Sequence, residues 1–192
     1  EDINPLIYLT KVDLLEDDSL VNEVKKVYEE IGYPVIVATE DETSLKQIEA
    51  TFSQKLTVFM GQSGAGKSTL LNRIVPDLAL ETGEISSALG RGKHTTRHVE
   101  LLPIAGGLVA DTPGFGSIDF LTVEARELPR LFPEFVKVAS QCRFRECSHI
   151  NEPNCAVKEA VTEGIIAQTR YENYTQFLNE VENRKPMYRK KK

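Results

Sequence analysis

The sequence has no long apolar run, few cysteines and no excess of positive charge, and each absence excludes a class of protein. No apolar stretch approaches the roughly 20 residues that a membrane-spanning helix needs, and the acidic start Glu1-Asp2 is not that of a signal peptide. Three cysteines are too few for a disulfide framework. A net charge of −6 argues against a protein that coats nucleic acid over its whole surface. We therefore expect a cytoplasmic protein without membrane contact, whose thiols are reduced or bound to a metal.

Positive charge is nevertheless concentrated in two segments. The last nine residues, from Arg184 to Lys192, carry six positive charges, and a second basic cluster lies in the Gly-rich stretch 90–98. Basic patches on an acidic body suit contacts with phosphate groups at chosen points. A solvated, disordered tail and a flexible loop would explain the same pattern, and the sequence leaves both interpretations open.

Apolar periodicity predicts an α/β domain with a mostly parallel, doubly wound sheet in residues 1–120. Short apolar runs indicate strands, the first three of them buried, and helical patterns lie between them. The predicted strands are 6–9, 34–38, 56–60, 98–104 and 107–110, and the predicted helices are 19–31, 44–52 and 69–74. The last two strands are expected to add an antiparallel hairpin through a turn at 105–107.

Beyond residue 120 the character of the sequence changes. Helical segments are expected around 123–131 and 165–181, and they flank a cysteine-rich loop. We interpret residues 121–192 as a small α-helical domain that ends in the basic tail. The last helix and the tail form either an RNA-facing extension or a core helix followed by an inert tail.

A phosphate-binding loop is the strongest signal in the sequence. Residues 61–68 read G-Q-S-G-A-G-K-S and satisfy the pattern G-x-x-x-x-G-K-[ST]. The loop joins a predicted strand to a predicted helix, so backbone N–H groups at the helix N-terminus converge on it. Lys67 is expected to contact the β- and γ-phosphate oxygens, and the Ser68 hydroxyl to ligate Mg²⁺. The predicted nucleotide-binding residues here are Gly61, Gln62, Ser63, Gly64, Ala65, Gly66, Lys67, Ser68 and Thr69.

A second phosphate motif follows the last predicted strand. Asp111-Thr112-Pro113-Gly114 fits the D-x-x-G pattern that senses the γ-phosphate. Asp111 is expected to hold Mg²⁺ through water and the Gly114 N–H to reach the γ-phosphate. The loop between the two phosphate motifs lies where a switch segment must supply a threonine to the metal. Thr95 and Thr96 both qualify, and the sequence does not choose between them.

The base is read by a third motif, which precedes the other two. Thr10-Lys11-Val12-Asp13 resembles the guanine-specificity motif N-K-x-D. One carboxylate can accept both guanine donors, N1–H and the exocyclic amine, so we assign this role to Asp13, with Lys11 packed over the ring. Thr10 replaces the usual Asn, which leaves open the side-chain bridge to the phosphate loop. Ala38, after the next strand, is expected to offer a backbone N–H to guanine O6. The alternative is an exposed T-K-V-D turn without a function.

This motif order is circularly permuted, because in ordinary small GTPases the phosphate loop comes first and the base motifs last. Permutation preserves a site when only the chain ends have moved. Many GTPases orient the attacking water with a Gln after the D-x-x-G glycine, but Phe115 stands there and cannot. We therefore predict His94 as the group that substitutes, beside Lys67, Thr95 and Thr96 as catalytic residues; a solvated loop histidine is the alternative.

The cysteines form a metal-ligand pattern. All three, with one histidine, fall in C-x4-C-x-H-x5-C, a Cys₃His set that Zn²⁺ binds tetrahedrally in structural sites. Four ligands leave no open position, and the loop is too poor in apolar residues to fold without metal. We predict one structural zinc ion, against the alternative of unrelated buried thiols. Its ligands are Cys142, Cys147, His149 and Cys155.

In these motifs and their order the chain resembles the circularly permuted bacterial GTPases known as ribosome small subunit-dependent GTPase A, or ribosome biogenesis GTPases. The resemblance rests on T-K-V-D, G-Q-S-G-A-G-K-S, R-G-K-H-T-T-R, D-T-P-G-F and the cysteine cluster. It implies a P-loop GTPase fold, GTP or GDP with Mg²⁺, and a role in assembly of the small (30S) ribosomal subunit. The subunit and its rRNA are the implied partners, and they are expected to stimulate a turnover that is slow alone.

Family members also carry an N-terminal OB-fold and a further strand–helix unit before the position of Leu6, so we expect this chain to be a fragment, and a monomer. Two other classes of function remain open. One is an ATP-dependent P-loop enzyme with a zinc module, in which T-K-V-D is accidental. The other is a non-enzymatic, zinc-containing RNA-binding module with a residual nucleotide pocket.

Overall fold

A computed structural model describes residues 3–78, 100–111 and 123–184, and for Glu100 and Asp111 it describes the backbone only. The chain divides into two compact units, Glu1–Ile118 and Asp119–Lys192, which are described separately. Among the helices of the described ranges, none is both long enough and apolar enough to cross a bilayer.

The first unit alternates strands and helices, as the periodicity predicts. Each early strand is three residues long and lies inside the apolar run that predicted it. The elements are β1 (Ile7–Leu9), α1 (Ser19–Glu30), β2 (Val35–Val37), α2 (Thr43–Ala50), β3 (Leu56–Val58), α3 (Lys67–Ile74), β4 (Glu100–Ile104) and β5 (Gly107–Asp111).

The strands form two ladders. β1 and β2 pair in parallel, and β3 pairs in parallel with β5. β4 runs antiparallel to β5, which confirms the predicted hairpin. Its turn contains only Ala105 and Gly106, both with positive φ (46° and 75°), the conformation that two-residue hairpins prefer. Gly107 already pairs with Ile104, and a Cβ there would lie 1.9 Å from the Phe52 carbonyl oxygen, so this position requires glycine.

The core of the first unit lies against α2 and α3. Leucines at successive positions of α3 are buried together with apolar residues of α2, β4 and β5. The buried residues are Leu45, Ile48, Phe52, Leu70, Leu71, Ile104 and Val109. The helix that starts at the phosphate loop is therefore held by packing along its length.

The expectation that β3 is a buried strand is wrong for one of its faces. Leu56 and Val58 are 61% and 47% exposed, and Met60 just after the strand is 63% exposed. Side chains alternate between the faces of a strand, so all three point the same way. A cavity of about 340 Å³, also lined by Tyr8 of β1, lies beside β3. Within the described residues no strand fills the space between β1 and β3.

The second unit is helical, but its helices differ from the expected ones. The segment predicted around 123–131 contains only a 3₁₀ turn at Leu128–Leu131, and the helix predicted at 165–181 is α6 (Gln168–Glu182). Two seven-residue helices were not predicted, α4 (Pro133–Ala139) and α5 (Ala156–Thr162). At two turns each they are too short to show a clear helical period. Their core includes Phe135, Val157, Tyr174 and Leu178, all buried.

Candidate functional site

The phosphate loop connects β3 to α3, as the motif predicts. Gly64 and Gly66 have φ values of 77° and 89°, in the left-handed region that side chains disfavour, which explains glycine at both positions. Gly66 is the N-cap of α3, so Lys67 and Ser68 occupy its first turn. The first-turn N–H groups of a helix have no intrahelical partner and are available to an anion.

Lys67 reaches back across the loop. Its ammonium group donates to the carbonyl oxygens of Gly61 at 2.6 Å and Gln62 at 2.8 Å. Ser68 is buried, with 5% of its surface exposed. The ammonium group that is predicted to contact phosphate therefore lies inside the loop, against the backbone of its first two residues.

The guanine motif lies against the phosphate loop. The Thr10 hydroxyl donates to the Ala65 carbonyl oxygen at 2.8 Å. The Thr10 side chain also lies beside Gly66, where an added Cβ would be 3.6 Å from it. A threonine thus makes the side-chain bridge that the sequence left open. Lys11, with a φ of 58°, and Asp13, in the 3₁₀ turn Val12–Leu14, are exposed one and three residues beyond it.

The loop after β2 uses the N–H groups that were expected to meet guanine O6. The Ala38 N–H donates to the Leu9 carbonyl oxygen at 2.8 Å and thereby extends the β1–β2 ladder. The Thr39 N–H donates to the Ser44 hydroxyl at 3.0 Å. The role predicted for Ala38 stays a prediction. The neighbouring Thr39 N–H, whose partner is a side-chain hydroxyl and not a strand carbonyl, is the alternative donor.

The remaining nucleotide-site residues are only partly described. Asp111 is the last residue of β5, and since β5 is parallel to β3, its backbone lies at the same sheet edge as the phosphate loop. His94, Thr95, Thr96 and Gly114 lie outside the described residues, so their roles stay predictions.

The predicted zinc ligands come together in the second unit. The ligand atoms of the four residues all lie within 4.8 Å of one another, and three of the residues are buried. His149 Nδ1 lies 3.3 Å from Cys155 Sγ and 3.7 Å from Cys142 Sγ. Ligands about 3.8 Å apart are expected around a tetrahedral ion with Zn–S bonds of about 2.3 Å. The cluster fits one zinc ion, with Nδ1 as the histidine ligand atom.

The backbone that carries His149 is held from both sides. Tyr171 donates to the His149 carbonyl oxygen at 2.7 Å, and Tyr174 donates to that of Ser148. The Glu152 carboxylate accepts the N–H groups of Ser148 at 2.7 Å and Ile150 at 3.1 Å. These bonds stabilise the left-handed conformation of His149, whose φ is 60°. The ligand pattern contains no signal for these supporting residues, since two of them come from a distant helix.

Burial favours the neutral form of two groups in the cluster. It raises the pKa of the Cys147 thiol to about 12 and lowers the pKa of His149. Burial would also raise the pKa of Glu152, but the N–H bonds from Ser148 and Ile150 outweigh it and lower that pKa to about 2. The contribution of this carboxylate to stability is therefore full above its ordinary pKa of 4.5 and is lost as the pH falls toward 2.

Glu152→Gln is expected to weaken zinc retention about tenfold, because residues that orient a metal ligand typically contribute a factor of 10 to 100 in affinity. The amide replaces a charged acceptor of two N–H groups with a neutral one. Competition with a colorimetric chelator measures the affinity. Glu146→Gln, a neighbouring exposed carboxylate, is the control and should behave as the parent. Equal affinities in both variants would show that Glu152 does not orient His149.

Comparison with known proteins identifies relatives along the whole chain. A family model described as RsgA GTPase matches residues 1–121. A protein of Enterococcus faecalis named small ribosomal subunit biogenesis GTPase RsgA is 63% identical over 193 residues, covering 100% of this chain and 65% of that protein. A protein of the same name from Bacillus subtilis is 51% identical over 191 residues, covering 97% of this chain and 64% of that protein.

Two solved structures share the fold. The crystal structure of YloQ, described as a circularly permuted GTPase, has a TM-score of 0.76 and 43% identity, covering 98% of this chain and 60% of that chain. The crystal structure of YjeQ from Thermotoga maritima has a TM-score of 0.74 and 35% identity, covering 94% of this chain and 60% of that chain. The predicted fold class and the permuted motif order are confirmed. The chain spans less than two thirds of the length of each of these relatives.

Proposed function

The chain belongs to the RsgA GTPase family, and from that premise we propose that it binds GTP, hydrolyses it to GDP and phosphate, and acts in assembly of the small (30S) ribosomal subunit. The observation that carries the proposal is the hydrogen bond from Thr10 to Ala65. It joins the guanine motif to the phosphate loop, so that base and phosphates can be bound by one continuous surface. We propose a cytoplasmic location and a monomeric state for the chain.

The base is recognised by Asp13, Lys11 and the loop after β2. Asp13 accepts the guanine N1–H and exocyclic amine, which an adenine ring cannot offer in that arrangement. The exposed stem of Lys11 covers one face of the ring. The Thr39 N–H donates to guanine O6 once the Ser44 hydroxyl releases it. Together these contacts favour guanine over adenine.

The phosphates are held by the first turn of α3 and by Lys67. The Ser68 hydroxyl, Asp111 and either Thr95 or Thr96 would hold Mg²⁺. Bound Mg²⁺ neutralises charge that develops on the phosphates during transfer. His94 positions the attacking water, and the Gly114 N–H contacts the γ-phosphate.

The second unit holds one structural zinc ion. A Cys₃His set offers four ligands and leaves no position for a substrate or water. The ion would cross-link a loop that has little apolar surface of its own. Its role would be structural. Cys142, Cys147, His149 and Cys155 hold it.

We propose that the small ribosomal subunit and its rRNA stimulate hydrolysis. The relatives named above carry the subunit in their names. The two basic segments, 90–98 and 184–192, supply positive charge for rRNA phosphates on an otherwise acidic chain. Subunit contact with the first segment would act directly on the residues proposed for catalysis, His94, Thr95 and Thr96.

The cavity between β1 and β3 is the proposed seat of the strand–helix unit that the resemblance places before Leu6. β1 and β3 each pair on one edge among the described residues. A strand between them would cover Val58 and Tyr8 and join the two ladders into one mostly parallel sheet. This accounts for the exposure of β3, which the sequence pattern predicts to be buried.

Lys67→Ala is expected to reduce GTP hydrolysis about a hundredfold or more, the effect of removing a donor to developing phosphate charge. Phosphate release from GTP and from ATP is measured with and without purified small subunits, and Lys55→Ala, an exposed lysine outside the loop, is the control. Preferential release from GTP, stimulated by subunits, supports the proposal. Equal phosphate release from ATP and GTP would favour the P-loop ATPase alternative. No phosphate release from either nucleotide would favour the RNA-binding module.

A further inference from the structure

Arg73 connects the phosphate-loop helix to the loop after β2. It lies in the last turn of α3, and its guanidinium donates to three consecutive backbone carbonyl oxygens. The distances are 3.3 Å to Thr39, 3.1 Å to Glu40 and 3.2 Å to Asp41. The three carbonyl oxygens place partial negative charge close together. The planar guanidinium of Arg73, with five N–H donors, can bond to all three at once.

The loop is otherwise held by bonds to the first residues of α2. The Asp41 carboxylate accepts the Thr43 N–H at 3.0 Å and the Thr43 hydroxyl at 2.8 Å, and the Thr39 hydroxyl also donates to it. Ser44, which is 1% exposed, accepts the Thr39 N–H. These local bonds fix the shape of the loop. Arg73 adds a connection between that shape and another element.

α3 places Lys67 and Arg73 at its two ends. The helix is eight residues long, which corresponds to about 12 Å at a rise of 1.5 Å per residue. Leu70 and Leu71 anchor the helix in the core. The loop after β2 is thus fixed, through Arg73, to the element whose first turn surrounds the phosphates.

We propose that Arg73 is a positioning residue of the guanine site. It holds the loop 39–41 in place while guanine O6 replaces the Ser44 hydroxyl as the acceptor of the Thr39 N–H. The inference rests on the proposed function. Arg73 itself does not touch the nucleotide. It acts on the backbone from which O6 is read, and it sets that backbone at a fixed distance from the phosphate loop.

The choice of arginine is specific. A lysine ammonium has the same charge, but it is a compact group that cannot present a planar fork to three carbonyls at once. Arg73→Lys should therefore recover only part of the effect, whereas a site that needs positive charge alone would be restored by lysine. Arg73→Gln removes the charge and most of the donors.

The experiment compares two nucleotides that differ at one atom. GDP and 6-thioguanosine diphosphate share the N1–H, the exocyclic amine and the phosphates, but sulfur at position 6 is a poor hydrogen-bond acceptor. Affinities are measured by competition with a fluorescent guanine nucleotide. Arg73→Gln is expected to weaken GDP binding about tenfold, the loss of one to two net hydrogen bonds, and to change binding of the thio analogue about twofold or less. Lys46→Gln, on α2 in an exposed ion pair with Glu42, is the control.

The outcomes separate this inference from the function on which it rests. Loss of discrimination between the two nucleotides in Arg73→Gln, with partial recovery in Arg73→Lys, supports a positioning role. Equal weakening of both nucleotides, or no weakening, overturns it and leaves the GTPase proposal intact. If the parent chain binds ADP as tightly as GDP, the proposed function itself fails. Thermal melting of each variant shows whether a general loss of stability is responsible.

Discussion

Cys155→Ser is expected to release the zinc ion and to unfold the segment between Cys142 and Cys155. The Cys155 sulfur lies 3.3 Å from His149 Nδ1, and the residue is buried at 4% exposure, so it is a buried member of the cluster. Zinc binding contributes about 10 kcal/mol or more to small metal-dependent folds, and a serine hydroxyl is a far weaker ligand than a thiolate. The loss should exceed that of any single apolar residue in this unit, since one core truncation costs about 2–5 kcal/mol.

Zinc content by atomic emission spectrometry and hydrogen exchange of the backbone amides measure the two effects. The parent should hold one zinc ion per chain, and protection from exchange should disappear in residues 142–155 of the variant. The matched control is Glu146→Gln, which alters an exposed residue between two ligands. A Cys155→Ser protein that keeps a full equivalent of zinc would refute the ligand assignment. Chelation of the parent should reproduce the exchange pattern of the variant.

The zinc ligands could be predicted from the sequence because they are close together in it. Fourteen consecutive residues contain the whole set, and a short loop can bring its own side chains to one point. Glu152 lies within the same loop but is not a ligand, so the spacing gives no reason to select it. Tyr171 and Tyr174 come from α6, and only the packing of that helix on the loop shows that their hydroxyl groups hold the backbone around His149.

The nucleotide site shows the same division between local and tertiary information. The phosphate loop was predictable because its glycines and its position between a strand and a helix are local properties. The Thr10–Ala65 bond joins residues 55 positions apart, and the pattern alone left it open because asparagine is usual at position 10. Nor does the sequence show that the β1–β2 ladder extends one residue further and uses the Ala38 N–H.

The exposure of β3 has a different cause. Its apolar residues predict burial correctly as a preference, but burial requires a neighbouring element to supply the covering surface. Among the described residues, β3 is paired with β5 on one side and borders a cavity on the other. A sequence pattern reports what a strand would bury and cannot report which part of the protein buries it.

Asp13→Asn is expected to lower the affinity for GDP by about a hundredfold or more and to raise the affinity for xanthosine diphosphate. A carboxylate accepts two donors side by side, and losing one partner of a charged hydrogen-bond pair costs about 2–5 kcal/mol. An amide presents one acceptor and one donor. It matches xanthine, whose N1–H is retained and whose position 2 carries an oxygen instead of an amine. The altered preference, and not the loss alone, identifies Asp13 as the group that reads the base.

The control is Asp17→Asn, an exposed carboxylate four residues further along, which accepts the Ser19 N–H at 2.8 Å. It makes the same chemical change in the same segment, away from the aspartate of the guanine motif, and should leave both affinities unchanged. Titration of each variant with fluorescent guanine and xanthine nucleotides gives the comparison. Because Thr10 fixes the segment to the phosphate loop through Ala65, Asp13 should act on the base without altering phosphate contacts. Parallel weakening of both nucleotides in Asp13→Asn would mean that the carboxylate supports the loop and does not contact guanine.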